Sequence, residues 1–363
     1  MDPGSTPQEN AQFLLFLCSV IKAVDEYASL LRASAANAGN DHRLGGFEAP
    51  PAIISMFLGD QLTKILDEIG RREQVKPTKK SDLEISVATL PDLPKDATDR
   101  NRTSPFAFTG NKFEFRMVGS SASIAGPNTV LNTIIADTLE QMANRIELAK
   151  DFDKEVNEII VEVVNQHKKI IFNGNGYAED WIKEAEKIGL PNITNSIDAY
   201  REYISDKAIA VFERQNVYSK EELYARYEIK TTKYTKTVNI EARCAVQMAK
   251  REILPACIAY STRLAENVNE LSNHVSEATL KPRADLLNKY VSLLNKAEAM
   301  TEELENKLDT ISQTVETDFY ATAVYYRDTI LPAMETLRQS IDELETMTDK
   351  ERWPMPTYSD LIL

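Results

Sequence analysis

The stretch Asn101–Asn132 reads NRTSPFAFTGNKFEFRMVGSSASIAGPNTVLN. Arg100 and Arg102 flank its first residue, and Thr109-Gly110-Asn111 forms a turn signal. Beyond the turn, Lys112, Glu114 and Arg116 alternate with Phe113, Phe115 and Met117. A period of two predicts a strand with one apolar and one charged face, here over Lys112–Val118, paired through the turn with a strand over Ser104–Phe108. Lining up Lys, Glu and Arg along one face is costly if they are buried without a partner. The pattern alone leaves two readings open: a solvated outer face of a sheet, or one wall of a binding site.

Working outward, the chain of 363 residues carries 42 basic and 56 acidic residues, a net charge of −14. That balance argues against nucleic acid and anionic membranes as partners, though not against a local basic pocket. Three cysteines (Cys18, Cys244, Cys257) without a CxxC pair or a His/Cys cluster argue against a disulfide framework or a zinc site. They fit a reducing, cytoplasmic compartment. The apolar run Phe13–Val20 is preceded by Asp2 and Glu9 with no basic residue, so it reads as a buried helix rather than a targeting segment.

Upstream, Thr6-Pro7-Gln8-Glu9 has the form of a capping box and predicts a helix to about Ala35, ended by Gly39. Gly45-Gly46 and Pro50-Pro51 predict a loop carrying His42, Arg43 and Glu48, followed by a helix over Ala52–Glu73. Leu83–Leu90 alternates as a strand. Downstream the pattern is helical: Asn128–Phe152, Val156–Ile171, Ala178–Ile188, Ser196–Gln215 and Lys220–Leu271, the last kinked at Pro255. Leu287, Tyr290, Leu294, Ala297, Thr301, Leu304, Leu308, Ile311 and Val315 recur at spacings of three and four, a heptad seam. Its expected partner in a helical hairpin is Tyr325–Met347 or the helix before it. The Trp353-Pro354-Met355-Pro356-Thr357-Tyr358 tail is expected to dock on a surface. The pattern shows no internal repeat, and a domain boundary is expected near Phe172, giving 1–172 and 173–363.

No P-loop, GxGxxG or Ser-His-Asp arrangement is present, and His167 and His274 read as solvated or capping histidines. What remains is Arg43, Glu48, Arg102, Lys112, Glu114 and Arg116. Guanidinium groups grip carboxylate and phosphate oxygens in pairs, and a carboxylate can hold a divalent ion that spreads phosphate charge. The set therefore suits phosphoryl transfer.

These residues stand in motifs. Arg43-Leu44-Gly45-Gly46-Phe47-Glu48-Ala49-Pro50, Asn101-Arg102-Thr103-Ser104 and Phe113-Glu114-Phe115-Arg116, in that order, resemble the C-terminal half of the glutamine synthetase catalytic domain. The Glu48–Ser55 form, the long helical extension and the Trp-Pro-x-Pro-Thr-Tyr ending resemble the type III branch. The resemblance implies an α+β fold: a partial antiparallel sheet with flanking helices, then a large helical extension with a long helical hairpin.

It also implies an ATP-dependent ligase joining ammonia to glutamate through γ-glutamyl phosphate, in stacked hexameric rings. On this reading Glu48 is a catalytic flap residue and Arg102 stabilises the transferring phosphoryl. Arg43 and Arg116 bind substrate, Arg102 and Lys112 face nucleotide phosphates, and Glu114 holds Mg2+ or Mn2+. The sequence departs from the family pattern at Lys112, where arginine is usual, and at Ala107, where many relatives carry another arginine. The family's first half of the catalytic sheet, with most of its acidic metal ligands, is not in this chain, so the chain alone is expected to lack synthetase activity. The competing expectation is a non-catalytic helical interaction protein built on the same scaffold; an unrelated coiled-coil scaffold leaves the Arg43–Arg116 motifs unexplained.

Overall fold

The computed structural model describes residues 1–4, 6–46, 49–72, 82–83, 93–94, 104–314 and 318–361. It divides into two compact units, Met1–Lys230 and Thr231–Leu363. The architecture is α+β followed by helices, as the resemblance implies. The expected boundary at Phe172 concerns a different division, between the sheet-bearing fold and its helical extension.

In the first unit α1 (Ala11–Glu26) is buried nearly all round, since its sequence is apolar on every face. Its cap differs from expectation. Pro7–Glu9 forms a single 3-10 turn, and Asn10, not Thr6, accepts from the amide of Phe13. An Asn side chain caps at least as well as Thr, and here it stands directly before the apolar run. The expected single helix also breaks at Tyr27, giving α2 (Ala28–Ser34). Gly39 does not end a helix. Asn37 is extended and caps the six-residue α3 (Ala38–Arg43), which places His42 and Arg43 at a helix end rather than on a loop.

Ala52–Phe57 is extended instead of helical. All six of these residues are buried, and a short, fully buried apolar run with two isoleucines satisfies strand and helix patterns equally. Met56–Phe57 is β1, and the helix begins only after Gly59 (φ 78), as α4 (Asp60–Gly70). The strand expected over Leu83–Leu90 falls largely outside the described residues. Its first part, β2 (Asp82–Leu83), pairs antiparallel with β3 (Leu93–Pro94).

β4 (Phe106–Phe108) and β5 (Phe113–Phe115) form the expected hairpin, with Ala107 opposite Glu114. The sheet order is β1-β4-β5, and the β1–β4 pairing is parallel, so the sheet is mixed rather than purely antiparallel. Beyond β1, Ile171 bridges Met56 and the amide of Phe172 donates to Met56 O. Phe106, Phe108, Phe113 and Phe115 share the apolar face, where Phe106 and Phe113 stack at 5.0 Å and Phe13 of α1 meets Phe108 at 5.9 Å. Helices α5 (Ala125–Leu148) and α6 (Phe152–His167) pack on α1, and α6 also covers α4. His167 is buried rather than solvated, its Nδ1 2.8 Å from Asp25 Oδ2. The helices α7 (Glu179–Lys187), α8 (Ser196–Tyr200) and α9 (Asp206–Arg214) complete the unit. α10 (Lys220–Met248) begins in it.

The second unit is helical. After α10 comes a five-residue π-helical turn, Ala249–Ile253, then α11 (Leu254–Ser272) with Pro255 in its first turn. The expected kink is thus resolved as a wide turn: Leu254 N–H reaches back to Ala249 O, and the ring of Pro255, which has no N–H, starts a fresh helix. α12 (Glu277–Thr314) carries the heptad seam, with Tyr290, Leu294, Ala297, Thr301, Leu304, Leu308 and Ile311 buried. α13 (Phe319–Tyr325), a second π turn at Tyr326–Ile330, and α14 (Leu331–Met347) follow. Both candidate partners pack on α12. Arg243–Asp309, Lys250–Glu305 and Tyr260–Tyr290 run in opposite directions along the two segments, as do Tyr325–Lys307 and Tyr290–Thr348, so α12 is antiparallel to each neighbour. The tail ends in α15 (Tyr358–Leu361), with Trp353 buried.

Candidate active site

The charged face of the β4–β5 hairpin is built by register. Ala107 is fully buried and lies opposite Glu114. Glu114 Oε1 accepts from the Thr109 hydroxyl at 3.0 Å and lies 3.7 Å from Lys112 Nζ. Glu114 Oε2 accepts from Arg116 Nε at 3.3 Å and Nη2 at 3.2 Å. The Thr109 hydroxyl, followed by the Arg116 guanidinium and the Lys112 ammonium, holds the Glu114 carboxyl below the usual glutamate range. The hairpin is closed by Thr109 N–H to Lys112 O at 2.8 Å, with Gly110 at φ 84, a conformation that suits glycine.

Arg43 reaches the exit of β5 from α3. Its Nη1 donates to Met117 O at 3.2 Å and its Nη2 to Arg116 O at 3.1 Å, so its guanidinium straps the exit of β5. Asn40, one turn earlier, donates to Met117 O at 2.9 Å and to Ala35 O at 2.7 Å. After α3, Gly45 N–H donates to Pro50 O at 2.9 Å, with Gly45 at φ 76. Downstream, Ser55 donates to Ser104 Oγ at 2.8 Å and Ser104 to Phe172 O at 2.8 Å, which fixes the entry to β4.

The structure therefore brings Arg43, Lys112, Glu114 and Arg116 to one strand and its exit. Glu48 and Arg102 lie outside the described residues. Thr109 and Asn40 were missed in the sequence, though Thr109 sits in the turn and Asn40 three residues before Arg43. As a metal centre the described residues do not fit. Glu114 is a single carboxylate whose oxygens already meet a hydroxyl and two cations, and among the described residues no group of three or more His, Cys, Asp or Glu is placed to hold an ion. Guanidinium and ammonium groups suit carboxylate or phosphate oxygens as a class; in this structure Arg43 Nη1 and Nη2 donate to main-chain carbonyls and Arg116 Nε and Nη2 to Glu114.

Among the described residues, no helix is long and apolar enough to cross a membrane. A family model described as the glutamine synthetase C-terminal domain matches residues 155–272. The chain is 38% identical over 368 residues to a type-3 glutamine synthetase of Dictyostelium discoideum, across 100% of this chain and 50% of that protein. It is 38% identical over 380 residues to a glutamine synthetase of Butyrivibrio fibrisolvens (100% and 51%) and 35% over 371 residues to one of Bacteroides fragilis strain YCH46 (99% and 51%). The chain spans about half the length of the curated relatives it matches. The match to the C-terminal domain model and the similarity to three such enzymes along essentially all of this chain agree: the chain belongs to the glutamine synthetase family.

Proposed function

We propose that the chain forms one wall of the active site of a type III glutamate–ammonia ligase, which makes glutamine from glutamate, ammonia and ATP through γ-glutamyl phosphate. The observation that carries this reading is the joining of Arg43 to the exit of β5, the strand that holds Glu114 and is flanked by Lys112 and Arg116. A carboxylate nucleophile and ATP repel each other, and a preorganised cationic wall offsets that repulsion. Arg43 and Arg116 bind the substrate carboxylate or its phosphorylated form. Lys112 and Arg102 face the nucleotide phosphates, Lys112 as a point charge without the fork of arginine. Glu48 closes over the acyl phosphate and excludes water. Glu114 keeps Arg116 in place and joins a divalent-ion site only with carboxylates from elsewhere. The functional division is 1–172, the catalytic portion, and 173–363, the helical extension. Assembly into rings and a cytoplasmic location belong to the same proposal.

The test is reconstitution. This chain, joined to the remaining half of the Dictyostelium relative, is assayed for ATP- and ammonia-dependent glutamine formation. Activity is expected from the joined protein and not from the chain alone, and Glu114→Ala is expected to abolish it. Metal-dependent γ-glutamyl transfer by the chain alone would overturn the expectation of an incomplete site. A second reading, a non-catalytic helical interaction protein, draws on the unit Thr231–Leu363, whose described regular elements are all helices. It requires Glu114→Ala to be silent.

A further inference from the structure

Arg43 acts on the site only if α3 holds its place, and α3 has six residues, too few to be stable alone. One side of α3 is strapped to the exit of β5 through Asn40 and Arg43. The other side is gripped by a segment distant in sequence, Ile193–Tyr200, which lies inside the match to the C-terminal domain model. Asp41, two residues before Arg43, accepts from Ser196 through both carboxylate oxygens: Oδ1 from the hydroxyl at 2.6 Å and Oδ2 from the amide at 2.9 Å. Ser196 Oγ also lies 3.0 Å from Asn37 O. Its one proton goes to the nearer, charged acceptor. Tyr200 donates to Ala36 O at 3.0 Å. Beneath them Arg32, 1% exposed, donates through Nε to Ile193 O at 3.0 Å, with Nη2 3.6 Å from Asp41 Oδ1.

This arrangement is a poor way to gain stability. Nη1 and Nη2 of the buried Arg32 make no hydrogen bond to protein, and a buried ion pair often stabilises no more than an apolar pair of similar volume. What it does supply is fixed geometry, because a carboxylate held by two donors and a cation has one place to sit. Resting on the function proposed above, we infer that Asp41 and Ser196 are positioning residues: they set α3 against β5 and so aim Arg43 and Arg116 at the substrate. The helical segment after the sheet then takes part in substrate binding without touching substrate.

The test has two readouts. Hydrogen–deuterium exchange on the full chain compares Ser196→Ala and Asp41→Asn with Ser205→Ala, which removes the cap of α9 and has no hydrogen bond to α3. Faster exchange, by several-fold, is expected in peptides covering 38–46 and 112–120 for the first two variants and not for the third. Change confined to 193–200 would overturn the inference. In the joined protein, Ser196→Ala is expected to raise the KM for glutamate about tenfold with kcat within about twofold, and Ser196→Thr to restore it. Equal kcat and KM to the parent, with only a lower melting temperature, would mean a purely structural role and overturn the inference. If the joined protein makes no glutamine, the proposed function falls while the exchange result still decides the coupling.

Discussion

Two carboxylates near the site respond to pH in opposite senses. The carboxyl of Glu114 is held below its ordinary value, first by the Thr109 hydroxyl. Its contribution to stability is present above pH 4.5, the unfolded value, and is lost as pH falls through the lower folded value. Thr109→Val removes that hydroxyl, and a carboxyl NMR titration is expected to show Glu114 shifting upward, toward the ordinary range. Asp41 is raised instead, because burial outweighs the Ser196 hydrogen bonds and the Arg32 charge. The raised value favours the folded state at low pH, in full below 3.8, and that contribution is lost as pH rises through the folded value. Asp41→Ala removes both acceptor oxygens as well as the charge, leaving the Ser196 hydroxyl and amide and the Arg32 guanidinium without that partner, so a cost of about 3 kcal/mol is expected at neutral pH. Adding Arg32→Met should recover much of it in urea denaturation. Little of this was legible beforehand. Lys112, Glu114 and Arg116 announce themselves by alternation, but Asp41 meets Ser196 and Arg32 only through the fold, across 155 residues in one case.

At the scale of elements, periodicity was informative where one answer dominates and silent where two compete. The seam of α12 held along the described residues because leucines three and four apart have only a helical face to share. Leu304 is fully buried and Ile240 is 61% exposed. Leu304→Ala is expected to cost about 2–5 kcal/mol in urea, and Ile240→Ala within about 0.5 kcal/mol. Equal effects would mean that the seam is not the core. Ala52–Phe57 shows the opposite case: a buried strand and a buried helix are equally apolar, and parallel pairing with β4 decided it. A repeat escaped notice as well. Ile253-Leu254-Pro255-Ala256 and Ile330-Leu331-Pro332-Ala333 are the same four residues, each beginning on the last residue of a π turn.

For the whole molecule, the described sheet ends at β5, whose outer edge offers backbone donors and acceptors beside Phe113 and Phe115. Such an edge invites pairing with another chain. The chain alone is expected to self-associate at micromolar concentration in sedimentation velocity, less so with Phe113→Lys or when joined to the remaining half of a relative. A monodisperse monomer at high concentration would count against an open edge. The motif order from Arg43 to Arg116 made the family legible in the sequence, since three short matches in order are specific where each alone is weak. The compact division at Lys230 was not, because it falls within the uninterrupted helix α10. The paired π turns carry one more consequence. An extra residue in a regular helix would rotate everything after it by about 100° and carry the seam away from its neighbours. Absorbed in a wide turn before Leu-Pro, it leaves the downstream face in phase. Each turn thus has the form left by a single-codon insertion that the bundle tolerated.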